Sequence, residues 1–162
     1  MNRIRILQRV AATLAVTLCA IGAMAQQRPP HGTAIKLEAA RKIAAASAAE
    51  ANKNSWNVAI AVVDNHGLPV YYEMLDDTQT ARAVIAIEKA RTSATYRRPT
   101  KELEDGIAGG RHAILGLPGA TPIEGGVPIV VGGKMIGAIG GSGVTSAQDG
   151  QVPRAGVESF RP

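Results

Sequence analysis

Between Glu124 and Asp149 the chain reads EGGVPIVVGGKMIGAIGGSGVTSAQD, and no other stretch restricts its possible folds as tightly. Val127 to Val131 and Lys134 to Ile139 are apolar runs rich in β-branched residues. Gly132-Gly133 between them supplies the positive φ angles that a two-residue primed turn demands. A hairpin closed in this way sets Val131 against Lys134, Val130 against Met135, Ile129 against Ile136, Pro128 against Gly137 and Val127 against Ala138. Both faces of such a hairpin are mostly apolar, which predicts that both are covered, by helices, by another subunit or by a flat apolar ligand. Gly140, Gly141 and Gly143 then bracket Ser142, and Ser146 followed by Asp149 has the spacing of a helix capping box. A glycine-rich turn that opens a helix presents backbone N–H groups and can hold an anion; the same residues also serve as a plain helix start.

The amino terminus has a different character. Arg3, Arg5 and Arg9 precede an apolar run from Val10 to Ala23, and Ala23-Met24-Ala25 is an A-x-A cleavage signal. Residues 1–25 are therefore expected to be a secretory signal peptide. The run is short for a membrane span, and the only cysteine, Cys19, lacks the context of a lipoprotein signal. The expected product is periplasmic or secreted, has no stable membrane anchor and contains no cysteine. Disulfides, covalent c-type haem attachment and cysteine–zinc sites are thereby excluded. Of 18 basic residues three leave with the signal, so against 13 acidic residues the net charge falls to about +2. That balance is no nucleic-acid footprint.

Residues 26–36, with Pro29-Pro30 and Gly32, form an expected extended arm, and residues 37–162 fit one domain. Trp56, Tyr71, Tyr72, Tyr96 and Phe160 are the whole aromatic complement, so Ala, Val, Ile and Leu must build the core. Small alanine-rich domains of this kind often gain stability as homo-oligomers. Helical spacing of Leu37, Ala40, Ile43, Ala44, Ser47, Ala48 and Ala51 predicts a first helix. Val58 to Val63 and Val70 to Leu75 predict a hairpin around Asp64-Asn65-His66-Gly67. A second helix is expected from Asp77 or Thr78 to the Arg97-Arg98 pair, where Pro99 stops it. Thr100 is expected to cap a short third helix with Glu102, Glu104 and Asp105 in its first turn. His112 to Glu124 is expected to be a loop or short strand. The order of helix, hairpin, two helices, hairpin and helix defines an α+β sandwich around an antiparallel sheet.

Residues 124–149 resemble the glycine-rich signature of the GlcG/HbpS family, also known as the haem-degrading or DUF336 domain, which includes the carboxy-terminal domain of PduO-type proteins. WNVAIAVVD from Trp56, EKARTSATYRRPTKELED from Glu88 and LPGATPIEGGVPI from Leu117 are similar to the family in the same order. The resemblance implies a profilin-like fold, a five-stranded antiparallel sheet with helices on both faces. It also implies non-covalent binding of haem or a related tetrapyrrole, as a carrier, sensor or store. The alternatives are a small-molecule enzyme of the glycolate-operon type and a ligand-free oligomeric interaction module. The sequence departs from the family pattern at Leu68, His112, Gly141 and Pro153, and the proline is expected to kink or shorten the last helix.

A haem site needs an apolar slot, a donor to iron and cations or backbone N–H groups for the propionates. His112, set between glycine-rich backbone and Ala113-Ile114-Leu115, is the first candidate iron ligand. His31 in the arm is the second, and His66 sits in a tight turn. Arg91, Arg97 and Arg98 are candidate propionate partners, with a charged helix end as the alternative for the last two. Gly126, Gly137, Gly140, Ser142, Gly143 and Thr145 are the candidate ligand contacts on the hairpin and the turn after it. No G-x-S-x-G, H-E-x-x-H or Walker pattern occurs, so no catalytic group is assigned.

Overall fold

The structure is a computed structural model that describes residues 27–161. The expected signal peptide, residues 1–25, lies outside the described residues. Nine elements follow in order: helix α1 (Leu37–Lys53), strands β1 (Ala59–Asp64) and β2 (Pro69–Met74), helices α2 (Ala81–Tyr96) and α3 (Lys101–Ala108), a 3-10 helix (His112–Gly116), strands β3 (Gly126–Val131) and β4 (Lys134–Ser142), and helix α4 (Ser146–Ser159). The strands form one antiparallel sheet in the order β2-β1-β4-β3. The fold class is the expected α+β. The resemblance implied five strands, whereas the described residues hold four plus an isolated parallel bridge between His31 and Met135.

Alternation along β1 decides the two faces. Ile60 and Val62 enter the main core with Ile43, Ala44, Ile129, Ile139 and Val152, under α1 and α4. Ala59, Ala61 and Val63 point the other way and meet Ala86, Ala90 and Ala94 of α2, together with Ala138. Small residues on that face let α2 approach the sheet at backbone distance. A Cβ placed on Gly140 would lie 2.0 Å from the Ala86 carbonyl oxygen, and one on Gly126 would lie 2.2 Å from that of Lys89. Only hydrogen fits at either position.

The β3–β4 register departs from the sequence expectation. Val131 faces Lys134 and Val130 faces Met135 as the turn requires, but Ile129 faces Gly137, Pro128 faces Ala138 and Val127 faces Ile139. Ile136 is the unopposed residue of a bulge, which shifts the ladder by one. The bulge sits where β1 has already ended opposite Gly137 and the arm takes over the edge of β4. There Pro30 C=O accepts from Met135 N–H, Gly32 N–H donates to Met135 C=O, and Ile35 N–H donates to Ile136 C=O, each at 2.8 Å. The turn sets register only while the ladder stays regular, and the arm interrupts that regularity.

Two helix starts and one cap bond also differ. Helix α2 begins at Ala81, because Asp77 adopts φ +59° and Thr78 Oγ1 bonds back to Leu75 C=O, making a turn of the segment expected to start the helix. Thr100 Oγ1 accepts from Gly126 N–H on β3 and makes no cap bond to α3. The capping box of α4 is Thr145 with Gln148, displaced by one residue from the expected Ser146 with Asp149. Helix α4 is not shortened by Pro153, since it runs on to Ser159. The proline ring fills the space that a side chain at position 141 would take: its Cδ lies 3.1 Å from the Cβ site of Gly141. The two departures from the family pattern therefore meet each other.

Candidate functional site

The glycine-rich turn between β4 and α4 does hold an anion, and that anion belongs to the chain. Asp149 Oδ1 accepts from Gly143 N–H at 2.8 Å and Val144 N–H at 2.9 Å, while Oδ2 pairs with Lys89 Nζ at 2.7 Å. Both side chains are almost fully buried, and Lys89 Nζ also lies 3.3 Å from Gly141 C=O. A buried carboxylate and ammonium are tolerable only when paired and hydrogen-bonded, and here the turn supplies the remaining partners. Lys89 thereby ties α2 to α4 through the turn. It lies inside the EKARTSATYRRPTKELED motif, but no spacing rule marks one lysine on a helix as buried.

The glycines named around this turn lie where backbone approaches closely. Gly126 and Gly140 admit α2; the Cβ site of Gly137 lies 2.4 Å from Val63 C=O, and that of Gly143 lies 2.1 Å from Asn57 C=O. Ser142 is fully buried, with no hydrogen-bond partner for Oγ among the described residues. Thr145 is exposed and is occupied by the helix cap.

The histidines are arranged differently from the expectation. His112 opens the 3-10 helix as an exposed residue. His31 and His66 stack on each other, with ring centroids 6.3 Å apart and planes 10° from parallel. The docked arm brings them together, and Asn65 Nδ2 fastens it by donating to Gly32 C=O at 2.6 Å. The β1–β2 turn presents His66, because Asp64 Oδ1 accepts from the His66 and Leu68 N–H groups and Gly67 takes φ +85°. Arg91 lies against that turn: its Nε donates to Gly67 C=O at 3.4 Å, and its guanidinium also pairs with Glu88. Arg97 NH1 donates to Pro29 C=O at 3.4 Å, so a second cation borders the arm.

Apolar side chains are exposed on the neighbouring elements β2 and α2. Helix α2 covers β1, β4 and β3 and leaves β2 beside it uncovered. Tyr72 and Met74, opposite Ala61 and Ala59, share the α2 face of the sheet and are 40% and 42% exposed. Val84 on α2 and Leu68 at the turn are 63% and 62% exposed. Strand β2 thus leads directly from the turn that carries His66, against which Arg91 lies. A separate cavity of about 360 Å³ between the arm, α1 and the chain end has apolar walls, including Ile35, Ile136 and Phe160, with Lys36, Lys42 and Arg161 also lining it. Among the described residues no histidine, tyrosine or methionine lines that cavity; Glu38 completes its charged rim.

An α+β fold with a four-stranded antiparallel sheet between helical layers, carrying a surface histidine pair, is the class these observations define. The family model described as haem degrading protein HbpS-like matches residues 35–158, and the chain belongs to that family. It is 48% identical over 101 residues to the GlcG protein of Escherichia coli, across 62% of this chain and 75% of the relative. Crystal structures of HbpS align with it as well; that of a double mutant from Streptomyces reticuli has a TM-score of 0.74 at 30% identity, over 87% of this chain and 94% of that one. A PduOC–heme complex has the same fold, with a TM-score of 0.71 at 22% identity, over 79% of this chain and 96% of that one.

Proposed function

We propose that this protein binds haem or a related tetrapyrrole non-covalently along the β2–α2 strip, as an exported carrier, sensor or store. One observation carries the reading: the stacked His31–His66 pair sits beside Arg91 at the end of an uncovered apolar sheet face. Tetrapyrroles are flat apolar plates with acidic side chains, and an iron porphyrin also needs an axial donor. Tyr72, Met74 and Val84 supply apolar surface, His66 or His31 a nitrogen, and Arg91 a guanidinium for a carboxylate. Family membership and the relative crystallised with heme support the reading. When bound, haem would supply an iron centre for ligand or redox chemistry. The residues of this chain hold and orient it, and the arm acts as one wall. Export rests on residues 1–25.

Titration of the chain from Gln26 with hemin is the test. A saturable Soret shift is expected, weakened by His66→Ala or His31→Ala, lost in the double variant and unchanged in His112→Ala. Absence of a saturable shift at micromolar hemin defeats the haem reading.

A further inference from the structure

Where α2 ends, the chain builds a small basic pocket that the haem reading does not use. Its volume is about 180 Å³, and its lining is Arg98, Arg111, Leu103, Ala113, Ile114 and Leu117. Backbone contacts position both arginines. Ser93 clasps Arg98, its C=O accepting from Arg98 N–H and its Oγ donating to Arg98 C=O at 2.9 Å. Arg97 adopts the left-handed conformation just before. Gly110, at φ +90°, turns the chain so that Arg111 N–H donates to Gly106 C=O at 2.8 Å. The 3-10 helix is seated against α3 at Gly106, where a Cβ would meet Ile114 Cδ1 at 2.5 Å. The floor of the pocket is therefore fixed and apolar, with Leu103 and Ile114 buried.

The charge in this pocket is unbalanced. Arg98 Nε is buried and has no hydrogen-bond partner among the described residues. Neither Arg98 nor Arg111 joins any of the ion pairs found there, and the nearby Glu102 is already paired with Arg28. Burial, followed by the positive charges of Arg28 and Arg111, lowers the Arg98 pKa, and Glu102 offsets only part of this. Two arginines outside these ion pairs, lining an apolar-floored recess, suit an anion with an apolar body.

We propose that this pocket binds a short alkyl carboxylate, its carboxylate held by Arg98 and Arg111 and its tail lying on Leu103, Ile114 and Leu117. The guanidinium fork matches a carboxylate in plane. The volume corresponds to roughly six water-sized groups, room for an acid of that size and far too little for a tetrapyrrole ring. A haem propionate has the same chemistry, so the test must separate a free acid from a tethered one.

Isothermal titration of the purified protein with butyrate tests the assignment, with butylamine, butanol and inorganic phosphate as controls. Saturable 1:1 binding of butyrate alone is expected. Arg111→Gln should weaken it about tenfold or more, the loss expected for one charge-assisted hydrogen bond. Ala113→Phe, at an exposed lining position, should fill the pocket and abolish binding without unfolding the chain, as its circular dichroism will show. Saturating butyrate should leave the hemin titration unchanged. If hemin displaces butyrate, the carboxylate is a tethered one and the free-acid assignment fails. No butyrate binding at millimolar concentration, equal binding by Arg111→Gln, or equal binding of phosphate each overturns the proposal, and none of these results bears on the His31–His66 site.

Discussion

Lys89 and Asp149 show how much one buried pair can organise. The lysine has one strong partner, whereas the carboxylate satisfies the lysine and two backbone N–H groups of the turn. Removing either partner strands a charge, a loss of about 3–5 kcal/mol for pairs of this kind. Asp149→Ala should be the costlier change, because it also orphans the Gly143 and Val144 donors, each worth about 1 kcal/mol or more. Lys89→Met leaves Asp149 hydrogen-bonded and should cost less. Urea unfolding of the two variants checks the order, and equal losses would mean that the turn bonds contribute nothing.

For secondary-structure elements, the decisive quantity is the distance between α2 and the sheet. Gly140 lies beneath the Ala86 carbonyl, so even one methyl group must lift the helix or bend β4. Overpacking of this kind typically costs about 1–3 kcal/mol, and a rigid backbone neighbour places Gly140→Ala at or above the upper end. Gly116, in the 3-10 helix, has nothing within 4 Å of its Cβ site. Gly116→Ala should therefore change stability by no more than about 0.5 kcal/mol. Thermal unfolding of the pair tests whether the glycines of this family signature act by packing. Similar melting temperatures would return Gly140 to the list of ligand contacts.

Among the described residues, the helices do not finish one face of the sheet. Tyr72, Met74, Val84 and Leu68 remain exposed on the α2 side, although the rest of that face is sealed by backbone-level packing. On the proposed reading a plate-like ligand or a second copy of the chain covers this strip. The chain from Gln26 is expected to be oligomeric at micromolar concentration by light scattering; where a second copy, and not the ligand, covers the strip, Met74→Lys should shift it towards monomer. A wild-type chain that is monomeric with and without hemin would rule out the subunit alternative.

Local chemistry determined much of this protein in advance. Gly132-Gly133 set the hairpin, apolar periodicity marked the helices and strands, and the apolar residues of the Val127 to Ile139 hairpin anticipated cover on both of its faces. The order of these elements, with the quoted motifs, was enough for the α+β class and the family. Tertiary contacts settled the rest, because each depends on a partner far away in the chain. The β4 bulge exists where the arm replaces β1, so hairpin geometry alone could not reveal it. Asp149 serves Lys89 and the turn instead of its own helix cap, since a residue 60 positions away supplies the countercharge. His31 and His66 carry no shared spacing; they become neighbours because Asn65 and three strand-like hydrogen bonds dock the arm across β4. His112 was placed first for its apolar neighbours, but of these only Ile114 is buried, while Ala113 and Leu115 are exposed like the histidine itself.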